Sequence, residues 1–230
     1  MTTENNKNFF FERFERKWFF QKKNIDLNSL ILSIYRSSLN FRSAYESRQV
    51  NSIYFDDVNF SSIYQNLDGV AFKRKYRVRW YGIDKNIENC SLEIKEKQGF
   101  VSKKKIIPIK LENKIYFNNE GIEKIKHMVL KLINHKINLF PILSTHYRRN
   151  YYVSDNNKIR ATLDYDIKSN QIFYKKDLNF KKNFGDFILE LKYDKNFDNF
   201  VRGKIKDISI RYSKSSKYIN SAINTPIYFS

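Results

Sequence analysis

Along Phe72–Tyr81 (FKRKYRVRWY) a cation recurs at every second residue: Lys73, Lys75, Arg77 and Arg79. A β-strand sends successive side chains to opposite faces. In a strand these four therefore form one row, and Arg74, Tyr76, Val78 and Trp80 form the other. Like charges this close repel, so a row so dense needs an anionic counterpart. The pattern leaves two choices. The cations face solvent and bind something there, or they line a polar interior that holds polyanions.

The same alternation returns along the chain. Glu15 and Lys17 share a row, as do Glu93, Lys95 and Lys97, then Lys103 and Lys105. Arg149 falls in register with Thr145, Tyr147 and Tyr151. Arg160, Thr162, Asp164 and Asp166 make another row, and Glu190 with Lys192 the last. For one strand, a wet sheet face is the ordinary explanation. Six such strands, with Arg and Lys standing beside isolated carboxylates, favour an inward charged surface. The apolar stripes at Leu27, Leu30, Ile31 and Ile34 and at Ile122, Ile125, Val129 and Leu132 predict helices over Asp26–Ser47 and Glu120–Ile137. A third, short helix is expected over Asp57–Leu67, ended by Asp68-Gly69, and a basic one over Phe197–Ile223. Asn156-Asn157 reads as a hairpin turn. The expectation is an α+β fold: eight antiparallel strands closed into a β-barrel, with the helices covering its apolar outer rows.

The chain has 230 residues and a net charge of +19, which implies an anionic partner. Neither a P-loop nor a Rossmann glycine fingerprint is present. Cys90 is the only cysteine, so no internal disulfide forms and no Cys/His zinc spacing exists. A reducing, cytoplasmic location is expected. His127, His135 and His146 are scattered, as packing residues usually are. No apolar run is long enough for an integral membrane segment.

Seven short motifs then occur in order. They are Glu15-Arg16-Lys17-Trp18, Arg77-x-Arg79, Leu92-Glu93-Ile94-Lys95, Tyr147-x-Arg149, Ile159-Arg160 with Leu163-Asp164, Leu189-Glu190-Leu191-Lys192, and Ser213-Lys214-Ser215-Ser216-Lys217-Tyr218. Together they resemble the VTC domain, the polyphosphate polymerase module of the triphosphate tunnel metalloenzyme superfamily. The resemblance spans about Phe11 to Ile219 and implies one tunnel domain over residues 1–230. It implies a basic tunnel in which the γ-phosphate of ATP is transferred to a growing polyphosphate chain with Mn²⁺ or Mg²⁺. ATP and polyphosphate are the expected partners, with no specific nucleic acid. Carried over residue by residue, Arg77, Arg79, Lys95, Arg149, Arg160 and Lys217 are the catalytic set. Lys17, Lys214 and Ser216 are expected to bind phosphate, joined by Lys75, Lys103 and Lys192. Glu190 is the expected metal ligand.

Two other readings stay open: a tunnel triphosphatase or nucleotide phosphohydrolase, and a non-catalytic basic module that binds polyphosphate or nucleic acid. Tunnel triphosphatases resemble one another in an E-x-E-x-K start, of which Arg13-Phe14-Glu15-Arg16-Lys17 keeps only the second Glu and the Lys.

Overall fold

A computed structural model of the protein describes residues 13–82, 85–98, 101–172, 182–183 and 186–205. Eight long strands carry the fold: β1 (Arg13–Gln21), β2 (Phe41–Asp56), β3 (Phe72–Tyr81), β5 (Cys90–Gln98), β6 (Val101–Ile109), β8 (Phe140–Ser154), β9 (Arg160–Gln171) and β11 (Asp186–Asp194). Three two-residue strands accompany them: β4 (Asn86–Ile87), β7 (Ile115–Tyr116) and β10 (Lys182–Asn183). The helices are α1 (Leu27–Arg36), α2 (Ser61–Leu67), α3 (Asn119–Leu132) and α4 (Asp198–Lys204), the last preceded by a 3₁₀ turn at Lys195–Phe197.

The main sheet runs β1-β11-β9-β8-β2-β3-β5-β6, with β10 beside β9, while β4 and β7 pair separately. All of these pairings are antiparallel. Among the described residues no ladder joins β6 back to β1. The expected hydrogen-bonded closure into a barrel is therefore not shown, and the architecture is an antiparallel sheet with flanking helices. The sheet is nonetheless strongly curved. Lys95 of β5 reaches Glu15 of β1 at 3.0 Å, although five strands lie between β1 and β5 in the sheet order. Long side chains span the concave face where the backbones do not meet.

The convex face holds the apolar rows. Leu30 and Ile34 of α1 pack with Trp18, Phe20, Leu163, Leu189 and Leu191. Ile122, Ile125 and Val129 of α3 pack with Ile53, Val78, Trp80 and Leu92. Both helices start on a side-chain cap, a device that satisfies an orphan backbone donor. Asp26 accepts from Ser29 N at 3.0 Å, and Asn118 accepts from Gly121 N at 2.8 Å.

Four boundaries differ from the sequence reading. The first helix stops at Arg36 and not at Ser47. Asn40 adopts a left-handed φ of 49°, and Phe41 then opens a strand that runs unbroken to Asp56. The second begins at Ser61, because Asp56 and Asp57 spend their carboxylates on the backbone donors of Asn59, Ser61, Ser62 and Ile63. The third ends at Leu132, with Asn134 and His135 both left-handed. Of the expected C-terminal helix, only α4 falls among the described residues; positions beyond 205 lie outside them.

Candidate functional site

Residues paired across a ladder share a face. Register therefore decides which side chains meet on the concave surface. Lys75 pairs with Lys95, Arg77 with Glu93, and Arg79 with Ser91. On the other side of β3, Arg77 pairs with Tyr54 and Arg79 with Ser52. Arg149 pairs with Asp164, Thr162 with Glu190, and Arg160 with Lys192. Glu190 pairs in turn with Lys17, and Lys192 with Glu15. Of the residues singled out from sequence, Lys17, Lys75, Arg77, Arg79, Lys95, Arg149, Arg160, Glu190 and Lys192 all fall on this one surface. Arg160 sits exposed at the start of its strand, nearer the rim. Lys214, Ser216 and Lys217 lie outside the described residues.

The run Lys103-Lys104-Lys105 resolves differently from the expected row. The β5–β6 hairpin pairs Gln98 with Val101 and hence Lys95 with Lys104. Lys104, not Lys103 or Lys105, shares the concave face and reaches Glu93 at 3.0 Å. Asp166 also leaves its expected row. It adopts a left-handed φ of 51° at a register shift in the β8–β9 ladder. One extra residue at such a bulge reverses the parity of everything after it. Ile167, Ser169 and Gln171 consequently face the concave side, and Asp166 is exposed.

The side chains form three linked ion clusters. In the first, Lys17 Nζ lies 2.6 Å from Glu15 Oε1 and 3.3 Å from Glu190 Oε2. Lys192 takes the other Glu190 oxygen at 2.7 Å, and Lys95 the other Glu15 oxygen at 3.0 Å. Burial and the neighbouring Glu190 push the Glu15 carboxyl up, but Lys17, Lys95 and Lys192 outweigh them and hold it at about 2. In the second, Arg77 Nε donates to Glu93 Oε2 at 2.6 Å. Arg79 stands 3.7 Å from Glu93 Oε1. Burial opposes ionisation of Glu93, yet Arg77, Arg79 and Lys104 bring its carboxyl down to about 2. In the third, Arg149 forks onto Asp164, Nε donating at 2.5 Å and Nη2 at 2.8 Å. Such bidentate pairs fix a guanidinium in one plane.

Two tyrosines extend the arginine set. Tyr54 Oη accepts from Arg77 and Tyr147 Oη accepts from Arg79, each at 3.4 Å. Sequence reasoning gave Tyr54 no role, because an inward tyrosine looks the same whether it packs or binds. Lys75 is surrounded by cations. Burial first, then Lys17, Lys95, Lys73 and Arg77, bring its ammonium down to about 7. His146 belongs to the opposite face. It hydrogen-bonds Asn51 at 2.7 Å and packs its ring against Trp80 and Phe117. Burial and then Lys168 lower it to about 3, so it is neutral at pH 7.

The concave face of the curved antiparallel sheet is thus rich in cations with interspersed carboxylates. The chain belongs to the VTC domain family, whose model matches residues 12–224. No curated protein matches it in sequence. Solved structures share the fold at low identity. A candidate adenylate cyclase from Vibrio parahaemolyticus is 12% identical, with a TM-score of 0.51 over 91% of this chain and 98% of that one. A candidate adenylyl cyclase from Hippeastrum, described by its dominant triphosphatase activity, is 14% identical, with a TM-score of 0.52 over 90% and 94%. A protein from Pyrococcus horikoshii is 12% identical, with a TM-score of 0.50 over 90% and 97%.

Divalent metal fits the first cluster in part. Glu15 and Glu190 converge on one cation, the Lys17 ammonium. Among the described residues no group of three or more His, Cys, Asp or Glu could hold a metal. An ion here would complete its shell with phosphate and water oxygens, as Mg²⁺ and similar ions commonly do.

Proposed function

We propose that the protein is a metal-dependent phosphotransferase that moves the γ-phosphate of ATP onto a growing polyphosphate chain. The concave surface would form the wall of a tunnel around that chain. One observation carries the reading: the ladder register sets Lys17, Lys75, Arg77, Arg79, Lys95, Lys104 and Arg149 on a single face, interleaved with four carboxylates. Membership of the VTC family supports it.

Phosphoryl transfer asks the protein for position and charge neutralisation more than for covalent chemistry. Arg77 and Arg79 are held in place by Glu93 and the two tyrosines, and Arg149 by Asp164. Their remaining N–H groups are the donors available to phosphate oxygens. Lys17, Lys95 and Lys192 supply point charges at the opposite wall. An oxygen of the acceptor phosphate attacks the γ-phosphorus, the bond to the β,γ-bridging oxygen breaks, and ADP leaves with that electron pair. No side-chain nucleophile is needed. Glu190 and Glu15 would hold a divalent ion, Mn²⁺ or Mg²⁺, which would supply Lewis-acid charge neutralisation to the reacting phosphates.

The test is the product of incubation with ATP and Mn²⁺, resolved by chain length. Long polyphosphate is expected. Arg77→Ala lowers its formation by about 10²–10³-fold, the usual loss when one transition-state donor is removed, and Glu190→Ala removes it. Orthophosphate as the only product overturns the reading in favour of a triphosphatase. That second reading draws support from the activity named for the Hippeastrum neighbour and from the carboxylate pair Glu15 and Glu190.

A further inference from the structure

The chain between β2 and β3 leaves a set of apolar side chains uncovered. Val58, Tyr64, Leu67, Val70 and Phe72 are between 40% and 61% exposed. No other segment among the described residues gathers as many large apolar side chains at its surface. Phe60 and Ile63 anchor α2 against Tyr54, Ile142 and Leu143, whereas Tyr64 and Leu67 face outward. The helix ends at Leu67, and Gly69 turns the chain with a left-handed φ of 71°. A Cβ placed on Gly69 would meet nothing within 4 Å, so the turn stands clear of the rest of the molecule. A clustered apolar surface of this kind marks a contact with a partner or a membrane.

The charges around the turn decide between them. Phe72 opens β3, and its neighbours are cationic. Lys73 pairs with Lys97, and the Arg74 guanidinium lies 5.4 Å from the centre of the Phe72 ring. Lys103 pairs with Glu96, which Arg74 engages at 2.7 Å. Because neighbouring strands alternate in direction, β1 finishes at this same end of the sheet, and the exposed Lys22 and Lys23 follow it. Asp57 and Asp68 are the acids of the segment, and Asp57 accepts from the backbone of Asn59 and Ser61. A second copy of this chain is a poor cover. A two-fold contact lays a patch on its own image and would set these cations against one another. An anionic bilayer matches both parts. Its acyl boundary takes the apolar side chains, its headgroup level suits Tyr64 and Phe72, and its anionic headgroups meet the lysines. It also asks for no pocket, which a protruding turn does not offer.

We propose that the α2–β3 turn is a shallow anchor that seats this end of the sheet on an anionic lipid surface. Leu67, Val70 and Phe72 enter the interface, while Lys73, Arg74 and Lys97 lie against the headgroups. None of the phosphoryl-transfer chemistry enters this inference, so either can fail while the other stands.

The test is co-sedimentation of the full chain with vesicles of phosphatidylcholine alone, and with vesicles of phosphatidylcholine and phosphatidylserine in equal parts. Net charge by itself draws the chain to anionic vesicles, so the deciding variant, Val70→Ser/Phe72→Ser, leaves the charge unchanged. The wild type is expected to bind the mixed vesicles at physiological salt and to bind phosphatidylcholine alone far less. The double variant should lose at least about tenfold in binding, as removal of two partly buried apolar side chains implies. A second reading comes from Phe72→Trp. The native Trp18 and Trp80 are 3% and 1% exposed, so the added indole dominates any lipid-dependent change. Its emission should move to the blue on the mixed vesicles and be quenched by nitroxide-labelled acyl chains. Equal binding of the wild type and the double variant overturns the proposal and leaves charge attraction alone. So does an emission from Phe72→Trp that the vesicles neither shift nor quench. A wild type that ignores vesicles but sediments as a dimer, with the double variant a monomer, also overturns it and gives the patch to a second copy.

Discussion

Lys75 carries a charge that depends on what the site contains. Burial and four neighbouring cations hold its ammonium at about 7, below the ordinary 10.5. A bound polyanion reverses that field and draws a proton onto it. Binding of triphosphate should therefore take up close to one proton between pH 7 and 10.5 and weaken by about tenfold per pH unit in that window. Below pH 7 this group is already protonated and adds no slope. Calorimetry in buffers of different ionisation enthalpy counts the proton, and Lys75→Met should abolish the uptake. Lys17 makes a second residue-level case. It fills the position between Glu15 and Glu190, so Mn²⁺ alone should bind weakly at neutral pH. Lys17→Met frees one oxygen of each carboxylate and should tighten Mn²⁺ binding at least tenfold, read by the electron paramagnetic resonance of the free ion. No change would show that the ammonium is not what blocks the metal.

Elements follow from local rules wherever period and punctuation agree. The strands β3 and β5 are legible from alternation alone to within a residue, because their charged and apolar rows are strict. Asp26, a short acceptor ahead of an apolar stripe, has the sequence signature of the cap that it forms. The misreadings have physical causes. Phe41–Ser47 carries no clear period, so the helix before it was extended too far. The bulge at Asp166 cannot be seen from parity, since an alternating pattern looks intact up to the residue that breaks it. Lys104 was hidden inside three identical residues, and only the turn register separates them. Packing at the start of α3 was equally invisible. A Cβ at Gly121 would lie 1.9 Å from the carbonyl oxygen of Tyr116 and 2.8 Å from Ile115 Cγ2. Gly121→Ala should therefore destabilise the fold by about 1–3 kcal/mol, as overpacking does, seen as a lower urea midpoint. Asn118→Ala, which removes only the cap, should cost about 1 kcal/mol.

For the whole molecule, the charged face of the curved sheet is legible in the sequence, because most of the long strands carry charged rows. Its hydrogen-bonded closure was not, since alternation fixes faces and says nothing of whether two edges meet. No helix among the described residues is long and apolar enough to cross a membrane. The charge of +19 guarantees some attraction to any polyanion. Duplex DNA should bind with a steep salt dependence and be indifferent to Arg77→Ala, whereas triphosphate binding should fall with that substitution. If DNA binding falls in parallel, the concave face is a general polyanion surface. The ion clusters carry one more consequence. Every oxygen of Glu15 and Glu190 is already matched to an ammonium on the same chain, so the resting site works as an ion exchanger whose counterions are tethered. A phosphate entering there trades one set of partners for another and does not simply add to an empty field. Raising ionic strength weakens both sides of that trade, so the salt slope for triphosphate should be much shallower than the protein's net charge suggests.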